Sequence, residues 1–185
     1  EPSVAVMRRL LEMNFNLYYS RYALDGDRLC MRFDSEIKTA NPNKLYYGLK
    51  ELATKADKQD DLLVEEFSLL QPLDTEHVIA VPDDEKGVKY TFLQTWIKET
   101  LDYINTVDIE KFSGGIAYLL LTLSFRIDYL ITPEGKLLHD LEKIVDIYYR
   151  KDEKPIVDKN NGMIDGFKKI LDRTKEQVFP FLFRS

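Results

Sequence analysis

Cysteine is nearly absent from this chain. Cys30 stands alone among 185 residues, so no disulfide closes within it, and a reducing, cytoplasmic setting is the expectation. Histidine is almost as scarce: His77 and His139 are the only two, and neither sits in the HExxH or ExxH spacing of a helical metal site. No run of lysine and arginine exceeds two residues and the formal net charge is −6, a balance that repels a phosphate backbone and argues against nucleic acid as a partner. Glycine-rich phosphate loops are missing, with no GxxxxGK[ST] and no GxGxxG, and no GxSxG nucleophile elbow occurs. The most apolar stretch, "IAYLLLTLSF" at 116–125, is ten residues long and is followed by Arg126 and Asp128. A membrane helix needs about 20 apolar residues, so this run reads as a buried helix and no membrane span is expected. No secretion signal is visible, and the chain opens on "EPSV" rather than Met, as a trimmed or processed chain would.

What is present is a globular composition, 44% hydrophobic and 31% charged, enough for one sizeable core or two small ones. Its clearest local signal is "YYSRYALDGDRLCMRFDSEI" at 18–37, two strand-like runs flanking Asp-Gly. Asp25 and Gly26 as the two central turn residues predict a type I′ hairpin that pairs Leu24 with Asp27. The alternation sets Tyr18, Ser20 and Tyr22 on one face with Leu29, Met31 and Phe33. The other face holds Arg21, Cys30, Arg32 and Asp34 and reads as solvated. A lone hairpin is marginal in water, so something must cover the apolar face or extend the edges.

Helices surround it. Ser3 caps a helix over 4–13 with Val4, Met7, Leu10 and Leu11 as its stripe. Asn41 and Pro42 open another, with Leu45, Leu49, Leu52 and Ala56 inward, and "DKQDD" at 57–61 is expected to bend or break it before Leu63, Phe67 and Leu70 continue the stripe. "HVIAV" at 77–81 fits a short strand or a loop, and "PDDEKG" at 82–87 reads as a connector. Further helices are predicted over 89–107, with Leu93, Trp96, Ile97, Leu101 and Ile104 on one face, and over 116–131 after a break at "SGG". Thr132, Pro133 and Glu134 are expected to start the next, and a last helix spans about 162–178. The fold class is therefore α+β, a chaperone-like αββα segment over 1–75 and a mostly helical region over 76–185, packed as one domain with the first or standing alone.

Candidate chemistry is thin. Cys30 has no CxxC partner and no nearby base, and His139 beside Asp140 reads as solvent-exposed. "DKNNGMID" at 158–165 places Gly162 fifth where a calcium loop needs glycine sixth, and Lys169 replaces its twelfth-position glutamate, so a capped turn is expected there. No metal or cofactor is implied. The interaction candidates are the hairpin, through Tyr18, Tyr22, Met31 and Phe33, whose edges suit strand addition, and the aromatic tail, through Phe179, Phe181 and Phe183, docked on the chain's own helices or on a second subunit.

Residues 7–63, about a third of the chain, carry a resemblance. "MRRLLEMN" with Leu10, Leu11 and Asn14 is followed by Tyr22, Ala23, Leu24, Asp25, Gly26, Leu29, Met31 and Arg32 in the hairpin, then by Leu49, Leu52, Ala56, Asp57 and Leu62 in "LKELATKADKQDDLL". This resembles the second half of the YbjN-like proteins, which share the fold of type III secretion chaperones. The resemblance implies an α+β dimer that binds proteins and carries no catalytic residues. It departs from the family where strands ahead of the LLxxN helix are missing. The expected function is a non-enzymatic, chaperone- or adaptor-like module with a protein partner or a second copy. Two rivals stand beside it: a hydrolytic enzyme using carboxylates of the helical half, and a small-ligand or lipid carrier with a cavity lined by Trp96, Leu119, Phe125 and Leu141.

Overall fold

In the computed structural model the described residues are 3–73 and 75–184, except for the side chains of His77 and Arg184. The architecture is α+β, and the chain divides into two compact units, residues 1–73 and 74–185.

In the first unit α1 spans Val4–Asn14, with the Ser3 hydroxyl accepting the Val6 N–H at 3.2 Å. Its buried positions are Val6 and Leu10 rather than Val4 and Leu11, which face solvent; the stripe is turned by half a step towards the hairpin it covers. Strands β1 (Ser20–Asp25) and β2 (Arg28–Phe33) form the antiparallel hairpin. The expected faces are present, but the register is two residues further along: Leu24 pairs with Leu29, Tyr22 with Met31 and Ser20 with Phe33. The central turn residues are Gly26 and Asp27, and only Gly26 has positive φ, at 64°. That is the type II′ pattern, in which glycine takes the first central position and no side-chain-bearing residue needs the left-handed region.

Helix α2 runs unbroken over Pro42–Glu66, its Asn41 side chain accepting the Lys44 N–H at 2.9 Å. The "DKQDD" stretch does not break it, since those residue types are tolerated in a helix and their mutual repulsion is a small cost on an exposed side. The inward side departs from the expected one in the first turns, while Leu63, Phe67 and Leu70 continue the stripe as expected. Leu45 and Leu49 are exposed, while Gly48 meets the Phe33 ring so closely that a Cβ there would lie 2.5 Å from it. Val6, Leu10 and Leu63 form this unit's small core, with Met7, Tyr22, Leu29 and Phe67 packed around them.

The second unit opens with β3, Ile79–Ala80, the short strand that "HVIAV" suggested. Helix α3, Asp83–Ile104, absorbs the expected connector: Asp83, Asp84 and Glu85 occupy its first turn, where carboxylates meet the positive end of the helix dipole. Helix α4, Ser113–Ile131, likewise takes in "SGG" as its first turn. Thr132 ends α4 in the left-handed region (φ 49°) instead of starting the next helix, and Lys89 Nζ caps that end by donating to the Ile131 carbonyl at 2.9 Å. Helix α5 spans Gly135–Tyr149.

Helix α6, Ile156–Leu171, contains the "DKNNGMID" segment that read as a turn. Gly162 and Gly166 are four residues apart and lie against Ile147 and Ile144 of α5, so they serve close helix packing. Buried Asn160 ties α6 to α4 by donating to the Ser113 carbonyl at 2.8 Å. The short α7, Lys175–Val178, precedes the tail, and β4, Phe183–Arg184, pairs antiparallel with β3. The core of α3 to α6 is mainly apolar, with Leu93, Ile97, Leu120, Ile127, Leu137 and Phe167 almost fully buried. By length and composition alone α4 is apolar enough to cross a membrane, and here its inner side is buried in this bundle.

Candidate interaction surfaces

The two edges of the hairpin are treated very differently. Along β1, the Asn14 side chain accepts the Tyr22 N–H at 2.7 Å and donates back to the Tyr22 carbonyl at 3.3 Å, as a neighbouring strand would. The Glu51 carboxylate accepts the N–H groups of Tyr18, Tyr19 and Ser20, each at 2.8 Å, and the Ser20 hydroxyl at the same distance. Burial pushes the Glu51 carboxyl up, but those four donors outweigh it and hold its pKa at about 2. The β1 edge is thus closed by side chains. Since Tyr22 turns its backbone outward, the antiparallel alternation requires the residues opposite Leu24, Tyr22 and Ser20 to do the same on β2. The outward groups of Leu29, Met31 and Phe33 meet no hydrogen-bond partner among the described residues, so β2 is the open edge.

The sequence-predicted hairpin residues separate accordingly. Tyr18 is 90% exposed. Tyr22 is packed under the core of its unit, with its hydroxyl donating weakly to the Lys55 carbonyl at 3.4 Å; burial first, then Asp60, pushes its phenol up to about 12. Phe33 lies on Gly48, and Met31 is half-buried beside Tyr22. The apolar face is therefore covered from within the unit, and what remains open is the backbone of β2. The tail is also taken up internally: Phe179 and Phe181 pack on the bundle core, Leu182 is fully buried, and Phe183 pairs through its backbone with Ala80.

A second surface was not foreseen. Helix α4 is apolar on its outer side as well as its inner one. Tyr118, Thr122, Phe125 and Tyr129 recur every third or fourth residue along an open groove of about 550 Å³, completed by Leu121 and Leu130 of the same helix and by Tyr149 of α5. Tyr118 is 71% and Tyr129 80% exposed. At the groove's side the Arg126 guanidinium stacks on Trp96 at 3.9 Å from the ring centroid, and Phe92 lies 5.3 Å from the same ring. No carboxylate among the described residues forms an ion pair with Arg126. The available signal was the excess itself: "IAYLLLTLSFRIDYLI" holds more large apolar residues than one buried side of a helix accommodates.

The residues proposed for rival chemistry are not assembled. His139 sits on α5 with Glu142 at 4.0 Å, the His77 side chain lies outside the described residues, and Cys30 only reaches the Ala23 carbonyl at 3.6 Å. No cluster of three His, Cys, Asp or Glu poised for a metal occurs among the described residues. Asp61 is a carboxyl pushed upward, by burial first and then by Asp60, Asp57 and Glu65, and it is on α2, outside the helical half. Leu141 is buried in the core while Phe125 is on the outside, so the expected carrier residues do not line one cavity. Comparison with protein-family models, curated proteins and solved structures finds no match to this chain.

Proposed function

We infer that this chain is a non-enzymatic protein-interaction module, adaptor- or chaperone-like and cytoplasmic, that holds an amphipathic helix of a partner polypeptide in the groove along α4. The observation that carries this reading is the aromatic stripe of Tyr118, Phe125 and Tyr129, left in water beside a cation without a carboxylate partner. Large aromatics rarely form such a contiguous exposed row unless something covers them. The stripe extends over twelve residues, about 16 Å at 1.5 Å per residue, which matches roughly three turns of an incoming helix. Its apolar positions at i, i+4 and i+7 would lie on the rings, and a flanking carboxylate would meet Arg126. The resemblance of residues 7–63 to YbjN-like proteins implies the same class of work.

Selection from a displayed library of amphipathic helical peptides tests this directly. Enriched peptides are expected to carry leucine or aromatics at that spacing and an acidic flank, and to lose binding to a Phe125→Asp, Tyr129→Asp double variant whose melting temperature is unchanged. Equal enrichment on the wild type and the double variant would dismiss the groove.

A further inference from the structure

We propose that the open edge of β2 is the site at which a second copy of this chain adds its own β2, giving a four-stranded antiparallel sheet in the order β1-β2-β2′-β1′. This rests on the first unit alone and is independent of the α4 groove. The first argument is the asymmetry of the edges. Asn14 and Glu51 occupy the outward groups of β1, whereas Leu29, Met31 and Phe33 offer theirs on β2 with neither a proline nor a bulge to block approach. A sheet joined through β2 has the capped β1 strands at both ends, so the assembly stops at two copies instead of growing.

The second argument is overlap together with charge: only two of the possible registers keep five residues of β2 paired, Leu29 with Met31′ and Met31 with Met31′, and charge separates these two. Only registers that set odd-numbered residues opposite odd-numbered residues bring the free backbone groups together. Pairing Leu29 with Met31′ places Arg28 opposite Arg32′, and pairing Met31 with Phe33′ places Arg32 opposite Arg32′; like charges directly opposite are unfavourable. Pairing Met31 with Met31′ removes both clashes. It sets Leu29 against Phe33′, Cys30 against Arg32′, and Arg28 against Asp34′, a carboxylate that already holds Arg21 of its own hairpin, so Arg28 extends that ion pair across the junction on each side of the two-fold axis. The apolar side of the two hairpins also becomes continuous through Leu29, Met31 and Phe33.

The test uses the full chain. In this register positions 30 and 32′ form a pair without ladder bonds, where Cα atoms lie about 4.5 Å apart, within disulfide range. Arg32→Cys, an exposed change, is expected to give a covalently linked dimer under copper-phenanthroline oxidation, with peptide mapping that joins position 30 of one copy to position 32 of the other. Light scattering of the reduced wild type is expected to give twice 21.7 kDa. Met31→Pro removes an outward N–H only and is expected to leave a folded monomer. Cys30→Pro removes a ladder N–H and should melt the hairpin, which calibrates the assay. A wild type that stays monomeric up to its solubility limit overturns the proposal, as does a dimer that forms without the 30-to-32 link.

Discussion

Gly166 on α6 offers a sharp test of how the second unit is packed. A Cβ at this position would stand 2.5 Å from Ile144 Cγ1 and 2.9 Å from its Cδ1. Ile144 is itself buried, and Cγ1 is near the root of its side chain, so it has no free end to swing away. Overpacking of this kind costs about 1–3 kcal/mol, while alanine in place of glycine within a helix gains about 1 kcal/mol. The expected net effect of Gly166→Ala is a loss of up to about 2 kcal/mol. Gly115 on α4 supplies the opposite sign: nothing lies within 4 Å of a Cβ there, so Gly115→Ala should stabilise by about 0.5–1 kcal/mol. Trp96 is the sole tryptophan and belongs to the second unit, so urea unfolding followed by its fluorescence reports on that unit. With a urea slope of about 1.5 kcal/mol per molar, the two variants should move the midpoint in opposite directions by up to about 1 M. A Gly166→Ala/Ile144→Ala double variant should be less damaged than the sum of its parts, by roughly 1 kcal/mol or more. If Gly166→Ala stabilises as much as Gly115→Ala, the close α5–α6 contact is wrong.

Glu51 is expected to make the first unit acid-sensitive. Its folded pKa of about 2 is below the ordinary 4.5, so its contribution is complete above pH 4.5 and fades as pH falls towards 2; the amide signals of Tyr18 to Ser20 should lose protection over that window, and Glu51→Gln should flatten the dependence. Leu182 is fully buried, so Leu182→Ala should cost about 2–5 kcal/mol in the Trp96 transition while leaving the light-scattering mass unchanged; a changed mass would assign the tail to an interface between copies.

The sequence was most legible where structure is local. Ser3, Asn41 and Pro42 mark helix starts because capping needs only neighbours within three residues. The faces of the hairpin were readable from period-two alternation, but the same alternation is blind to a shift of two, and the turn is centred on Gly26-Asp27 because only glycine takes positive φ freely. Punctuation misled where packing overrides it. "DKQDD", "SGG" and "DKNNGMID" look like breaks, yet all three lie within helices, as does "PDDEKG" beyond its capping Pro82. Gly162 and Gly166 are on α6 because Ile147 and Ile144 need the space, a reason that lies on another element fifteen or more residues away in the chain. The α4 groove was hidden for a related reason: an all-round apolar helix reads as wholly buried until its neighbours are known to cover only one side.

The two units depend on different forces, and this bears on which surface each can offer. Among the described residues, seventeen apolar side chains form the buried cluster of the second unit and three form that of the first. The second unit can therefore carry an exposed aromatic row as a cost on a stable bundle, and polar substitutions along Tyr118, Phe125 and Tyr129 are tolerable there. The first unit has no such reserve. A two-stranded sheet is marginal by itself, and its supports are few: a glycine contact under Phe33 and side-chain bonds from Asn14 and Glu51 that stand in for a third strand on one edge only. Each backbone bond gained across β2 would add about 0.5–1.5 kcal/mol to a unit that needs it, so association by this edge and stability of this fold become one equilibrium, and the unit should resist unfolding better as its concentration rises.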